Sequence, residues 1–531
     1  MFDLLIKNAT IYDGTGDPAY KGDVAVADGK IAAIGSDLGE AKEVVDAKGL
    51  ALSPGFIDAH SHADATIFHY PQRHHVMEMG VTTEIAGMCG VSLAPVLPGY
   101  DKIFLDRYNS TSAFATQYFT RIKDQFDAMD QLQLGPNIAL FAGHGLMRLS
   151  VMGTEMREPT AEEMKTMQSM LAQAMEDGAL GMTTGLSYVP GIYSNSKELI
   201  EISKAMAPYG GIYSSHSRSE SAGLFKSVQE CIDIAREAKV SVNISHFKMV
   251  GKTFWPRCDE SLKMIEDANA QGLDVTVDCY PYCAVSTTTT SAIPARFLTS
   301  ENGGFVKRLE NPEIVEEIRK EIYEIDDPSW DNSALHVGLE NFLIVGADCT
   351  PEVVGKTYAQ VGEEWGVSGF DAMIELFRRN DGKLRDVRFA MKEENVEKIL
   401  AHPLCVVGSD GTYCHGRDTM THPRGIGSFP RFLGRYVREK GILSREEGIR
   451  RCTGKTADRY GLQGKGYIKV GYDADLVLFD YDTIIDRADF YKPFQKNEGI
   501  RKVFINGVTV VEDNQATGTY AGKPIRRKVT K

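Results

Sequence analysis

The sequence contains no long hydrophobic run and no excess of basic residues. Its apolar runs stay short of the roughly 18–20 residues that a membrane-spanning helix needs. The 531-residue chain has a formal net charge of −14. Nucleic acids and anionic membranes attract basic surfaces, so this charge argues against both as partners.

Regularly spaced cysteines and a secretion signal are also lacking. The nine cysteines show no regular spacing, and the N-terminal residues alternate in polarity as a strand does. A signal peptide would need a basic segment followed by a long apolar one. We therefore expect a protein with reduced thiols, located in the cytoplasm.

Both ends of the chain have the pattern of short β-strands. An Asp-Gly turn at residues 28–29 and an Asn-Gly turn at 506–507 each separate two strand-like runs. These dipeptides are strong signals for hairpins. The two ends, 1–54 and 466–531, are therefore predicted to form one small β-sandwich together.

The region between these ends alternates short apolar runs with helical segments. Apolar strands alternating with helices are typical of an α/β fold with a parallel sheet covered on its outer face, and eight such units indicate a (β/α)8 TIM-like barrel. We expect this barrel over residues 55–284 and 346–465, with a subdomain inserted at 285–345 before the last strand. The predicted strands are Gly55–His60, Val81–Ala86, Asn137–His144, Leu180–Gly185, Gly211–His216, Ser241–His246, Leu273–Tyr280 and Cys405–Asp410.

Residue types that bind metals follow most of these strands. His60 and His62 come at the end of the first strand, where the two-residue period turns both side chains toward one face. The carboxyl ends of all barrel strands lie together, where active sites of this fold are found. Imidazole, thiolate and carboxylate groups suit zinc, whose Lewis acidity supports hydrolysis at neutral pH. The other candidates at strand ends are Cys89, His144, His216, His246 and Asp410.

Several motifs at these positions resemble those of one enzyme family. PGFIDAHSH at 54–62, single histidines ending the fifth and sixth strands, and GSDG at 408–411 resemble the amidohydrolase superfamily. Further motifs, in order along nearly the whole chain, resemble the D-aminoacylase (N-acyl-D-amino-acid deacylase) family within it. They are EIAGMCGVSLAP (84–95), AGHG (142–145), TTGLSYVPG (183–191), SHSRSES (215–221), ISHFK (244–248), DCYPY (278–282), HPLCVVGSDG (402–411) and HPRGIGSFPRFLGRYVRE (422–439).

The resemblance implies a tight zinc site formed by Cys89, His216 and His246. Cys89 is the distinctive ligand, because many members of the superfamily use a carboxylated lysine on a neighbouring strand instead. Three protein ligands leave one position open for water or substrate, which is the arrangement of a catalytic zinc.

The same resemblance implies a second, weaker metal site near His60, His62 and Asp410. Asp410 is further expected to take a proton from the attacking water and to pass it to the leaving amine. Tyr188 resembles the tyrosine that hydrogen-bonds the carbonyl oxygen of the scissile amide.

Substrate binding is also assigned by resemblance. Lys248 and Tyr280 are expected to bind the α-carboxylate of the substrate. Ile293 would form an apolar pocket for the amino-acid side chain, whereas Arg296, if it turned inward, would favour an acidic side chain. The remaining substrate-binding candidates are His144 and Arg424.

The resemblance thus implies a zinc-dependent hydrolase that converts an N-acyl-D-amino acid to a D-amino acid and a carboxylate. One alternative is a cyclic-amide hydrolase of the hydantoinase or dihydropyrimidinase type, which uses a bridging carboxylated lysine. Another is a non-catalytic scaffold on the same barrel, which would have lost ligands that this chain retains. The expected partner is the small-molecule substrate, and a homo-oligomer is left open.

Overall fold

A computed structural model describes residues 1–99, 117–298, 304–325, 327, 330–412 and 420–528. No helix among these residues has the length and apolar character that crossing a membrane requires. The strands are β1 (Phe2–Ile11), β2 (Tyr20–Ala27), β3 (Lys30–Gly35), β4 (Ala41–Asp46), β5 (Ala51–Pro54), β6 (Phe56–Asp58), β7 (Val81–Ala86), β8 (Asn137–Leu140), β9 (Ala142–Gly143), β10 (Gly181–Gly185), β11 (Ile212–His216), β12 (Ser241–Ile244), β13 (Val275–Cys279), β14 (Val285–Thr288), β15 (Phe342–Gly346), β16 (Arg385–Arg388), β17 (Cys405–Val407), β18 (Leu476–Phe479), β19 (Ile500–Ile505), β20 (Val508–Glu512), β21 (Gln515–Ala516) and β22 (Pro524–Ile525).

The α-helices of the described residues cover the outside of the barrel and build much of the inserted segment. They are α1 (His74–Met77), α2 (Ile122–Met129), α3 (His144–Met152), α4 (Ala161–Glu176), α5 (Ser196–Ser203), α6 (Leu224–Ala238), α7 (Cys258–Ala270), α8 (Phe305–Arg308), α9 (Pro312–Glu324), α10 (Ser333–His336), α11 (Tyr358–Trp365), α12 (Gly369–Arg379), α13 (Glu393–Ala401), α14 (Arg424–Arg431), α15 (Arg445–Cys452) and α16 (Gly454–Tyr460). A π-helix, Phe432–Glu439, continues directly from α14.

Eight parallel strands close into a barrel, which confirms the predicted fold class. β6, β7 and β8 pair in that order, and β9, β10, β11, β12, β13 and β17 pair in that order. Phe141 alone separates β8 from β9, so these two segments form one barrel strand. The barrel closes where the backbone N–H of Ala59 donates to the carbonyl oxygen of Val407 at 3.2 Å.

Helix α4 illustrates how local sequence specifies the covering layer. The Thr160 hydroxyl accepts a hydrogen bond from the Glu163 N–H at 3.2 Å, and the Glu163 carboxylate accepts one from the Thr160 N–H at 2.7 Å. This capping box satisfies two N-terminal donors of the helix. Met167, Leu171 and Met175 then form its buried face against the barrel.

Both chain ends join one small β domain, as the hairpin signals predict. β1–β5 and β18–β21 form a continuous nine-stranded sheet, in which β18 pairs antiparallel with β5. The predicted turns at 28–29 and 506–507 connect β2 to β3 and β19 to β20. Beyond this sheet, β22 returns to the barrel and pairs parallel with β8.

The inserted segment has its own sheet and hydrophobic core, and it extends beyond the predicted boundary at residue 345. β14, β16 and β15 form a three-stranded antiparallel sheet, so the segment continues at least to the end of β16 at Arg388. Phe342, Tyr358 and Phe377 are among its fully buried core residues. β14 and β16 lie over the carboxyl ends of the barrel strands, where they contribute to the wall of a cavity.

Candidate metal centre and active site

Three side chains from distant parts of the chain meet at the mouth of the barrel. Cys89 follows β7, His216 ends β11 and His246 lies two residues after β12. The Cys89 Sγ lies 3.5 Å from His246 Nε2, which is 2.7 Å from His216 Nδ1. One sulfur and two imidazole nitrogens at these separations can face a single zinc ion.

Cys89 also belongs to a second group of ligand atoms, with His60, His62 and Asp410. Its Sγ lies 3.4 Å from His60 Nε2. The Asp410 Oδ1 lies 3.1 Å from His62 Nε2 and 3.5 Å from His60 Nε2. The candidate atoms of each group lie within 4.8 Å of one another. The two groups could therefore hold two adjacent ions that share the thiolate.

The backbone near these ligands is unusual. Cys89, His246 and Asp410 have φ angles of 55°, 35° and 52°, in the left-handed region. A non-glycine residue in a sparsely populated region costs of order 1–3 kcal/mol, and such residues concentrate at functional sites. Here each of them lies just beyond a barrel strand and carries a candidate ligand atom.

Two buried carboxylates orient the imidazoles. The Asp278 Oδ1 lies 3.0 Å from His60 Nδ1 and accepts a hydrogen bond from the His246 N–H at 2.8 Å. The Glu220 Oε1 lies 2.9 Å from His246 Nδ1. A carboxylate on Nδ1 leaves Nε2 with its lone pair directed at the metal position, as in many zinc sites.

The charges at the centre favour the ionised forms of Cys89 and Asp410. Burial alone would raise the pKa of the Cys89 thiol, but the positive imidazoles of His60 and His246 hold it well below its usual range. Burial would likewise raise the pKa of Asp410, but Arg424 and His60 hold it well below its usual range. The thiolate and the carboxylate are thus the stable forms at neutral pH. This donor chemistry fits zinc.

A cavity of about 590 Å³ opens above the metal centre. Five further predicted residues lie on its wall: Tyr188, Lys248, Tyr280, Ile293 and Arg424. The buried Tyr280 hydroxyl has no hydrogen-bond partner among the described residues. Two cations lie near its ring, with Arg424 Cζ 4.9 Å and Lys248 Nζ 5.5 Å from the centroid. An anionic group of a ligand could contact all three side chains.

Two predicted substrate-binding residues do not lie on this wall. His144 is buried, and its Nε2 lies 2.9 Å from Glu198 Oε1 in a network that includes Arg148. Arg296 points outward, with its side chain 52% exposed, and pairs with Glu321 at 2.6 Å. The structure therefore does not bring these two residues to the cavity where the other candidates lie.

Sequence reasoning assigned no role to several residues of the site. Asp278 and Glu220 orient ligands, Ser187 Oγ lies 2.7 Å from His216 Nε2, and Asp331 of the inserted segment lies on the cavity wall. Asp278 lies within the last residues of β13, so the strand-end rule could have included it. The chain has no local pattern at Asp331 that points to the barrel.

The fold and the site define a class: hydrolases that bind metal at the carboxyl ends of a (β/α)8 barrel. The amidohydrolase family model matches residues 43–206 and 367–511, more than half of the chain. The sequence is 34% identical over 528 residues to D-aminoacylase of Alcaligenes xylosoxydans xylosoxydans, with 99% of this chain and 98% of the relative covered. The chain therefore belongs to the D-aminoacylase family of amidohydrolases, as its motifs predict.

Solved structures agree with this assignment. The N-acyl-D-glutamate deacylase of Bordetella bronchiseptica, complexed with zinc and a phosphonate mimic of the tetrahedral intermediate, has a TM-score of 0.83, 32% identity and 99% coverage of both chains. A D-aminoacylase described with a binuclear metal centre has the same TM-score and identity, with 99% of this chain and 100% of that chain covered.

Proposed function

We propose that this protein removes the acyl group from N-acyl-D-amino acids by zinc-dependent hydrolysis. The observation that carries the proposal is that a ligand cluster centred on Cys89 lies beside a cavity lined by Lys248, Tyr280 and Arg424, whose side chains can donate to a carboxylate. The products are a D-amino acid and a carboxylate. The preference for D substrates is supported by the family, whose relatives are named for it.

We propose that Cys89, His216 and His246 hold one zinc ion and that His60, His62 and Asp410 contribute a second, weaker site. Zinc supplies Lewis acidity, which polarises a carbonyl and lowers the pKa of a water molecule. Because Asp278 and Glu220 hold two of the imidazoles, the protein presents preoriented ligands.

Asp410 is the proposed general base and then general acid. It is ionised at neutral pH, so it can accept the proton of the attacking water and later deliver it to the leaving amine. Its second oxygen, Oδ2, lies 2.7 Å from Arg424 Nη1, which orients the carboxylate.

Tyr188 is proposed to donate a hydrogen bond to the carbonyl oxygen as negative charge develops there. Burial and the nearby Cys89 thiolate raise the pKa of its phenol, so the hydroxyl stays protonated and able to donate. Its present partner is Thr287 Oγ1 at 3.1 Å. The ring of Tyr188 lies beside that of His216, with centroids 4.7 Å apart.

The proposed site of the α-carboxylate is formed by Lys248, Tyr280 and Arg424. We expect Lys248→Ala to raise KM for substrates with a free α-carboxylate by ~10-fold or more, because a charge-assisted hydrogen bond contributes about 1.5–3 kcal/mol. Steady-state kinetics on an N-acetyl-D-amino acid and on its primary amide test this. The amide, which lacks the charge, should be affected much less. Equal losses on both substrates would refute the carboxylate assignment.

An apolar side chain is the first candidate for the substrate, since Ile293 is 2% exposed and lies on the cavity wall. An acidic side chain is the second candidate, because Arg385 and Arg388 also line the cavity. The charge of Arg388 is already balanced by Asp386, whose Oδ1 lies 2.7 Å from its Nε. The apolar alternative therefore rests on Ile293, and the substrate panel below decides between the two.

A substrate panel tests the proposed function. The zinc-loaded protein is incubated with the N-acetyl-D and N-acetyl-L forms of leucine, methionine, glutamate and aspartate, and free amine is measured. Release from the D forms of leucine and methionine is expected. Hydrolysis of dihydropyrimidines or hydantoins without release from any N-acyl-D-amino acid would support the cyclic-amide alternative, and no hydrolysis at all would support a scaffold.

Zinc binding at the second site should weaken as the pH falls. Burial lowers the pKa of an imidazole, but Asp410 and Cys89 outweigh this effect and raise the pKa of His62 to about 9. A protonated imidazole cannot bind metal, so protons compete with zinc as the pH drops below that value. Metal analysis after dialysis between about pH 6 and pH 9 should show a loss of zinc toward low pH. The His62→Ala variant should lack the pH-dependent zinc of the second site. A pH-independent zinc content in the native protein would contradict the assignment of His62 to that site.

The cysteines among the described residues are free thiols, which supports the proposal of a cytoplasmic location.

A further inference from the structure

One carboxylate of the inserted segment reaches the barrel at the loop that follows ligand His216. Asp331 Oδ1 accepts hydrogen bonds from the hydroxyls of Ser219 and Ser221, each at 2.8 Å. The same oxygen accepts the backbone N–H groups of Glu220 at 2.8 Å and Ser221 at 3.1 Å. Asp331 is thus the acceptor around which residues 219–221 are folded.

The middle residue of this loop contacts the proposed active site directly. Glu220 Oε1 lies 2.5 Å from Lys248 Nζ and 2.9 Å from His246 Nδ1. The Lys248 ammonium is buried, with 4% of its side chain exposed. Its position therefore depends on Glu220, because a long, flexible side chain needs a fixed partner to be held in one geometry.

We propose that Asp331 is a positioning residue, which holds the loop at 219–221 so that Glu220 places the Lys248 ammonium for the substrate carboxylate. This inference rests on the proposed function and adds to it a role for the inserted segment. Among the described residues, the hydrogen bonds of Asp331 go to residues 219–221. The proposed effect on Lys248 therefore passes through Glu220, and the double-mutant cycle below separates it from a direct effect of Asp331 on the cavity wall.

The arrangement explains why the carboxylates of Asp331 and Glu220 lie close together in a buried place. Their repulsion is offset by the two hydroxyls and two backbone N–H groups that Asp331 receives. Loss of Asp331 would leave these donors unpaired in a buried loop, which then has to rearrange. Since the loop carries Glu220, the rearrangement would displace the partner of Lys248.

A double-mutant cycle tests this pathway in the full-length, zinc-loaded protein. We expect Asp331→Ala to raise KM for N-acetyl-D-leucine by ~10-fold, within the range typical of residues that orient a binding side chain through hydrogen bonds. The kcat and the hydrolysis of the primary amide should change much less. In the Lys248→Ala background the same substitution should add less than ~3-fold, because the group through which it acts is already missing.

Two further variants separate positioning from general stability. Asp331→Asn keeps the Oδ1 acceptor but replaces Oδ2, which also accepts the Glu220 N–H at 3.0 Å, by an amide nitrogen, so it should restore part of the native KM. Ser221→Ala removes one of the two hydroxyl donors to Asp331 and should raise KM by a smaller factor, so it replaces Asp331→Ala if that variant does not fold. Asp348→Ala, at an exposed residue of the same segment, is the control and should leave KM unchanged.

Multiplicative effects of Asp331→Ala and Lys248→Ala would overturn the inference, as would equal losses on the acid and the amide. Calorimetric binding of D-leucine reports the same carboxylate contact without turnover. If the native protein binds D-leucine but hydrolyses no N-acyl substrate, the proposed function fails. The double-mutant cycle can then still be measured from the affinities of the variants for D-leucine. A native protein that neither hydrolyses nor binds would overturn both.

Discussion

Replacing Cys89 with alanine is expected to remove zinc from both ligand groups and to lower kcat/KM by ~10³-fold or more. A bound metal contributes several kcal/mol of transition-state stabilisation, and each 1.36 kcal/mol corresponds to about a factor of ten in rate. Among the described residues, Cys89 belongs to both groups of candidate ligands. Its loss therefore removes a donor from each group at once.

Metal analysis and steady-state kinetics of Cys89→Ala measure the two effects. Cys231→Ala is the matched control, because Cys231 is as deeply buried but lies on α6, away from the ligand groups. That variant should keep its zinc and its activity, with a modest loss of thermal stability from the small cavity. If Cys89→Ala retained zinc and turnover, the ligand cluster would not be the catalytic centre.

Replacing Asp410 with asparagine should lower kcat by about 10²–10⁴-fold, the usual contribution of a positioned acid–base group. The amide of asparagine is close in size to the carboxylate but cannot accept the proton of the attacking water. Zinc at Cys89, His216 and His246 should be retained, since Asp410 does not belong to that group. The KM should change little.

The control for this variant is Asp381→Asn. Asp381 lies on the rim of the same cavity, and its side chain is 79% exposed. The control should behave as the native protein does. Full activity of Asp410→Asn would exclude a role as acid or base, and complete loss of zinc from both groups would make Asp410 a structural ligand instead.

The barrel was predictable because local sequence patterns indicate its strands and helices. All eight predicted strands are present, and α4 begins with a capping box at Thr160 and Glu163. Most predicted strands are longer than the observed ones, and the difference bears on the site at two of them: β12 ends at Ile244 and β17 at Val407. The residues beyond them include His246 and Asp410, whose left-handed φ angles end the extended conformation. Residue polarity carries no information about that change of backbone.

The inserted segment was harder to delimit for a different reason. Its strands β14 and β15 are separated by more than 50 residues, and β16 follows after two helices, α11 and α12. The pairing of such distant segments depends on the packing of the core between them rather than on any local period. The predicted end at residue 345 falls within β15, in the middle of the observed sheet.

The sequence by itself determined which donor types stand at the barrel's strand ends, and hence that a zinc-type centre was to be expected. It also predicted that His60 and His62 face the same side, and both belong to one group of candidate ligands. Strand alternation is a local property, so neighbouring residues are enough to reveal it.

Only the tertiary structure decided which of these donors lie close enough together to bind one ion. It brought Cys89 into both ligand groups, left His144 in a separate buried network, turned Arg296 outward and set Asp331 against the loop of Glu220. The physical reason is that these contacts join residues far apart in the chain. Their distances depend on the order in which the strands close the barrel and on how the inserted segment packs over it.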